Sequence, residues 1–290
     1  MIKDFEYLTP KTLKEALTLL DKYKDECKVI AGGQSLLILM RQGLVAPPYL
    51  IDIKGLSELS YIKDAKEGLK IGALTTHRAI EKSPVIKKKF SVLAEMEERL
   101  ASIQTRNWGT IGGNICHADP AGDPIPVLIA LNATLTTAGL KGERNIAVED
   151  FCRDYFETAL EPGELLTEIQ VPPPPPRTGA AYTKFNIIES DLATTGVAVS
   201  VTLGAGDGVC QDIRIALGAS APTPMRAKKA EAVLRGKKIT DALLKEAGEV
   251  ASTEAEPISD IYASAEYRRE LVKILVARMA KEASARAKSA

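Results

Sequence analysis

At 290 residues the chain is longer than a single hydrophobic core usually grows, so two or three subdomains are expected. With 45% hydrophobic and 26% charged residues, its composition is that of an ordinary soluble globular protein. Lys plus Arg and Asp plus Glu both total 38, which leaves no general field for nucleic acid or an anionic membrane and argues against a polyanionic partner.

The N-terminus, MIKDFEYLTP, is acidic and aromatic where a signal peptide is basic and then apolar, and no apolar run approaches the length of a membrane span. A cytoplasmic location is expected. Cys27, Cys116, Cys152 and Cys210 are scattered without a C-x-x-C pair, so neither a disulfide framework nor a compact zinc or iron–sulfur motif is written here. Reduced, mostly buried thiols are expected.

Taken in order, TPKTLKEALTLLDKY sets Leu13, Ala16, Leu17 and Leu20 at helical spacing behind Thr9 and Pro10, which predicts a helix over 11–23. CKVIAGG, YLIDIKGL and LKIGALTT read as three strands, making a small βαββ unit with that helix. HRAIEKSPVIKKKFSVLAEMEERLA reads as two helices broken at Ser83 and Pro84, with Lys87 to Lys89 as a solvated face. A strand is then expected to meet a second glycine doublet in NWGTIGGNICHADPAGDPIPVLIALNATLTTAG, followed by a proline- and aspartate-rich loop, a short apolar helix and another strand.

Pro172 to Pro176 cannot continue a helix or a central strand and mark a boundary. Beyond it GAAYTKF, TTGVAVSVTLG and VCQDIRIALGAS read as antiparallel strands with a turn at GAGDG. Helices follow near 223–234, at 240–251 and from about 265 to the end. No internal repeat is visible.

The chemistry lies in the glycine doublets. Gly32 and Gly33 precede Gln34 and Ser35, and Gly112 and Gly113 precede Asn114. Glycine lets backbone approach a ligand and turn its N–H groups on an anion, so two such loops can clamp a diphosphate. Gln34, Ser35, Thr110 and Asn114 add hydroxyl and amide donors. A single doublet after a strand marks no more than a turn or bulge; two with matching polar neighbours point to a nucleotide. No G-x-G-x-x-G opens a helix and no P-loop is present, so the nucleotide is held in another way.

Other constellations are thin. His77 and His117 are the only histidines, with no serine elbow or H-E-x-x-H, so neither a triad nor a metal centre is indicated. His117, beside Asp119 and Asp123, reads as an ordered loop histidine or a proton-handling group. Asp123 either accepts hydrogen bonds from ligand hydroxyls or caps the helix that follows.

The stretches AGGQSLL, IGALTTH, RNWGTIGGNICHADPAGDPIPVLIAL and ALGASAPTPMRAKKAEAVLRG resemble the FAD-binding medium subunits of molybdenum hydroxylases, of the carbon monoxide dehydrogenase and xanthine dehydrogenase type. The resemblance implies an α+β fold. Two subdomains of the PCMH or vanillyl-alcohol-oxidase type (1–58 and 59–172) grip FAD, and a C-terminal domain (177–290) has a three-stranded antiparallel sheet and helices. It also implies which residues hold FAD: Ala31, Gly32, Gly33, Gln34, Ser35 and Leu36 in the first loop, and Thr110, Ile111, Gly112, Gly113 and Asn114 in the second. The diphosphate is then what lies against Gly32 and Gly33. Asp123 binds hydroxyls or the ring region, Lys184 reaches toward the flavin, and no catalytic side chain or metal ligand is implied.

Relatives often carry R-x-G-D-Y-A before the strand, where this chain has NIIESDLATTG. Ser190 stands for the glycine and Leu192 for the aromatic, so Leu192 is expected to cover the flavin by apolar contact alone.

The function implied by the resemblance is electron transfer, the cofactor carrying the redox work. Substrate is oxidised on a molybdenum-cofactor large subunit, and electrons pass through two [2Fe-2S] clusters of a small subunit. FAD then delivers them to an external acceptor such as a quinone, NAD or oxygen. A dimer of heterotrimers is implied by family alone. The missing cysteine motif fits clusters on another chain and argues against the branch whose flavin subunit carries its own. Two alternatives stay open: a non-catalytic flavin- or nucleotide-binding assembly module, and a stand-alone flavin oxidase of the vanillyl-alcohol oxidase group. The substrate is not legible, since carbon monoxide, aldehydes, purines and N-heterocycles are all selected elsewhere.

Overall fold

The computed structural model describes residues 2–188, 190–206 and 208–290. The chain opens with β1 (Glu6–Leu8), α1 (Leu13–Tyr23), β2 (Cys27–Ile30), α2 (Leu36–Arg41) and β3 (Tyr49–Asp52). Thr12 accepts the Glu15 N–H and starts α1, whose buried stripe Ala16, Leu17 and Leu20 covers a parallel sheet of order β1-β3-β2. The expected βαββ unit is corrected in one respect. Its third strand is Glu6–Leu8, ahead of the helix, because Tyr7 and Leu8 pair with Leu50 and Ile51.

The strand expected at LKIGALTT belongs to a second sheet. That sheet joins β4 (Ile62–Ala65), β5 (Gly68–Gly72), β6 (Thr134–Gly139), β7 (Gly142–Ala147) and β10 (Leu165–Val171), antiparallel in the order β4-β5-β10-β6-β7. The short pair β8 (Cys152–Asp154) and β9 (Glu157–Thr158) precedes β10. Between β5 and β6 lie six helices: α3 (His77–Lys82), α4 (Pro84–Lys89), α5 (Ser91–Glu98), α6 (Ile103–Trp108), α7 (Ile111–His117) and α8 (Pro124–Ala130). The two helices expected over 77–101 are three, since Phe90 at φ −137° and ψ 50° breaks the chain a second time. The strand expected before the second doublet is helix α6, leaving a single bridge between Thr76 and Thr110.

The C-terminal region contains β11 (Thr178–Phe185), β12 (Thr195–Leu203), β13 (Cys210–Gly218), β14 (Met225–Arg226), α9 (Lys228–Leu234), α10 (Asp241–Glu254) and α11 (Ala265–Ser289). The expected three-stranded sheet has a short fourth strand, β14, because the chain after Ala219 turns back to pair Leu217 with Met225. This strand also delays the helix expected from 223, which begins at Lys228. The turn expected at GAGDG includes Asp207, which lies outside the described residues. Gly179 carries no side chain where α11 crosses β11: a Cβ there would sit 2.3 Å from the Ala283 carbonyl oxygen.

Helix α8 is apolar all round and wholly buried. It packs against the 3-10 turn at residues 148–150 and against β12 and β13, so the second sheet's core runs into the C-terminal sheet through Tyr182, Ala198 and Ala216. No helix among the described residues is long and apolar enough to cross a membrane.

Candidate nucleotide-binding site

Both glycine doublets come to one place, for reasons inside the chain. A Cβ on Gly32 would lie 2.2 Å from the Trp108 carbonyl oxygen and 2.7 Å from the Gly109 Cα, so only glycine lets these backbones touch. Gly33 has φ +71°, the left-handed turn that carries the chain from β2 into α2. A Cβ on Gly112 would meet Ala73 at 2.6 Å, and one on the exposed Gly113 would stand 3.8 Å from the Ala31 Cβ. The neighbour of Gly32 on its side-chain side is therefore protein backbone, where a diphosphate was expected.

What the first loop leaves open is its amide edge. The N–H groups of Gly32, Gly33, Gln34, Ser35 and Leu36 have no acceptor among the described residues. Gln34 Nε2 donates to the Gly32 carbonyl at 2.9 Å and braces the turn, while the Ser35 hydroxyl caps nothing. Such a row of unpaired donors is suited to phosphate oxygens.

The second loop is built differently. Gly112 and Gly113 lie inside α7, not in a loop after a strand, and Thr110 is its N-cap. The Ile111 N–H donates to Thr75, that of Gly112 to Ala73, and that of Asn114 to the Thr110 carbonyl, at 3.0, 2.9 and 3.0 Å. Gly113 donates to Thr110 Oγ1 at 3.1 Å. All four amides are spent, and the Ile111 side chain is fully buried in the core. The expected clamp of opposed amides is thus one-sided: the second motif offers the Asn114 side chain and the remaining hydroxyl proton of Thr110, whose Oγ1 stands 2.9 Å from where a Gly113 Cβ would lie.

Asp123 stands at the start of α8 without capping it. Its carboxylate is 4% exposed and accepts from Tyr182 Oη at 2.6 Å and Lys184 Nζ at 2.7 Å. Lys184 also donates to the Asp191 carbonyl at 2.9 Å, fixing the turn before Leu192. Burial pushes the Asp123 carboxyl upward, against the pull of the Lys184 charge and of both hydrogen bonds. The lysine expected to reach the flavin thus reaches Asp123, and Leu192, 59% exposed on the β11–β12 turn, directly follows the Asp191 whose carbonyl Lys184 holds.

Sequence reading passed over Tyr182, Glu97 and the role of His77. His77 Nδ1 lies 2.8 Å from Glu97 Oε2, both side chains buried, and the other oxygen of Glu97 has no partner among the described residues. Burial pushes the Glu97 carboxyl up, opposed by the His77 charge. The signal was present in SVLAEMEERL, where Glu97 sits one turn beyond Leu93 on the core-facing stripe. His117 ends α7 instead of lying in a loop, with its ring against Phe156 at 5.2 Å. Burial lowers its pKa, which keeps it neutral near pH 7. The four cysteines are free, two of them buried and two half-buried, and burial pushes Cys116 up to about 12, away from thiolate chemistry.

A row of amides without acceptors among the described residues, at the place where two glycine motifs meet, is suited to the phosphates of a nucleotide. Residues 3–174 match the family described as FAD binding domain in molybdopterin dehydrogenase, and residues 180–283 match the CO dehydrogenase flavoprotein C-terminal domain. The glyceraldehyde dehydrogenase medium chain of Sulfolobus acidocaldarius is 36% identical over 96% of this chain and 98% of its own length. The carbon monoxide dehydrogenase medium chain of Afipia carboxidovorans is 35% identical over 98% of both. Among solved structures, carbon monoxide dehydrogenase from Hydrogenophaga pseudoflava superposes with a TM-score of 0.96 at 36% identity, over 99% of both chains.

The chain belongs to the FAD-binding medium subunits of molybdenum hydroxylases, the carbon monoxide dehydrogenase and xanthine dehydrogenase family. It is an oxidoreductase subunit, and its cofactor is FAD.

Proposed function

We propose that this chain is the electron-transfer subunit of a cytoplasmic molybdenum hydroxylase complex. It receives electrons from [2Fe-2S] clusters of a small partner chain, downstream of a molybdenum-cofactor large chain, and passes them to an external acceptor. A dimer of heterotrimers is the assembly that fits this reading. The observation that carries it is the run of five amides at residues 32–36 that have no acceptor among the described residues.

Bound FAD supplies reversible two-electron redox chemistry, and the chain's residues bind and orient it. Ala31 and Gly32 let the two motifs meet, and the amides of Gly32, Gly33, Gln34, Ser35 and Leu36 hold the diphosphate. Thr110 and Asn114 bind from the other side through side chains, while Ile111, Gly112 and Gly113 shape the wall. Asp123 and Lys184 neutralise each other beneath the site, and Leu192 covers the ring by apolar contact. The working units are 1–58 and 59–172 around FAD and 177–290 as the closing domain.

Glyceraldehyde dehydrogenase and carbon monoxide dehydrogenase medium chains match this one at 36% and 35% identity, which supports a reading in which the substrate is chosen on another subunit. The test is purification from the native host with cofactor, metal and subunit analysis of one sample. FAD with molybdenum, iron and two further chains supports the reading; a lone chain free of FAD overturns it.

A further inference from the structure

We propose that His77 is a further binding residue for FAD, donating from Nε2 to the diphosphate where the two glycine motifs cross. This deepens the FAD reading above and rests on it. His77 opens α3 and is 2% exposed. Its backbone N–H donates to the Gly109 carbonyl at 3.0 Å, which places the residue directly under the segment that touches Gly32.

Glu97 holds Nδ1 at 2.8 Å and thereby fixes the ring's orientation. The opposite ring edge consists of Cδ2 and Nε2, and its Cδ2 stands at the crossing. Cδ2 lies 3.1 Å from where a Gly109 Cβ would stand, and Gln34 Cγ lies 3.5 Å from the same point. Histidine, Gly109 and Gln34 therefore meet at one spot, and Gln34 continues to the Gly32 carbonyl. Nε2 has no partner among the described residues.

With Nδ1 engaged by Glu97 Oε2, Nε2 is the ring nitrogen left for a ligand, and the negative charge of a diphosphate favours a proton there. An N–H in this position is the short-range donor that the second motif, with its four amides spent, does not supply. No lysine or arginine is needed at the diphosphate.

The experiment measures the dissociation constants of FAD, ADP and riboflavin for the full chain and for His77→Gln. Loss of a hydrogen bond to a charged group weakens FAD and ADP by roughly tenfold to hundredfold. Riboflavin, which lacks the diphosphate, keeps its affinity. Unchanged FAD and ADP affinity, or equal weakening of all three ligands, overturns the assignment. Wild-type chain that binds no FAD overturns the cofactor reading itself, a result distinguishable from the other two. Where the variant does not fold, the wild type answers: the chain has two histidines, so imidazole nitrogen NMR resolves them. ADP shifts the His77 Nε2 signal and riboflavin does not; a signal that ADP leaves in place overturns the proposal.

Discussion

Asp123 and Lys184 meet at 2.7 Å, both buried, and join the start of α8 to the first strand of the C-terminal sheet. Tyr182, two residues before Lys184 on the same face of β11, takes the second oxygen of the carboxylate. The cofactor-binding region and the closing domain are thus held in register by an ion pair with almost no access to water.

Removing one partner of such a pair leaves an uncompensated charge and costs about 3–5 kcal/mol. Lys184→Met is expected to lower unfolding stability by that amount, and the Asp123→Asn/Lys184→Met double variant to recover part of it. Urea unfolding of the four proteins in a double-mutant cycle checks both. A Lys184→Met variant as stable as wild type would remove the ion pair from the account.

The contact between Gly32 and the Trp108 carbonyl predicts that Gly32→Ala forces the two motifs apart, because backbone and not a flexible side chain stands 2.2 Å from the new methyl group. The cost is at or above the upper end of ordinary overpacking, about 3 kcal/mol, with loss of FAD. Gly55→Ala, with nothing within 4 Å, is the control and leaves both properties unchanged. Thermal melts and FAD absorbance on the two variants decide the matter.

Glu81 carries the acid sensitivity of the region under the clamp. Burial alone raises its carboxyl, but hydrogen bonds from Arg78 and Lys82 and the charge of Arg106 hold it at about 2, below its ordinary 4.5. A depressed carboxyl contributes stability that is complete above 4.5 and is lost as pH falls toward 2. The melting temperature is therefore expected to drop through that window, and Glu81→Gln to flatten the drop while lowering stability at neutral pH. A pH series of melts on both proteins is the measurement.

Leu192 is 59% exposed, so Leu192→Ala should change stability by less than about 0.5 kcal/mol. Its effect is expected on the flavin instead: a changed rate of reoxidation by small acceptors. Stopped-flow reoxidation of reduced protein tests this, and identical rates would place Leu192 away from the ring.

Much of this was legible in the sequence because periodicity reports burial. The stripe Ala16, Leu17 and Leu20 and the all-apolar run of α8 mark their own packing. The glycine doublets were found by residue type, but one reason for them was not legible. Glycine is required at 32 and 112 by other backbone, Trp108 and Ala73, and contacts across 76 and 39 positions of chain leave no local trace. Strand order is likewise a matter of partners: Glu6–Leu8 is too short to show alternation and is a strand only because β3 lies beside it. Asp123 stands out in a loop of acidic residues, yet its partners Tyr182 and Lys184 lie about sixty residues on.

The central claim is that the amide row at residues 32–36 binds the diphosphate of FAD. Titration of FAD into the purified full chain, followed by flavin fluorescence and by competition with ADP, tests it most directly. The account predicts saturable one-to-one binding that ADP displaces and that Gly32→Ala abolishes. Flavin binding indifferent to ADP and to Gly32→Ala would contradict it.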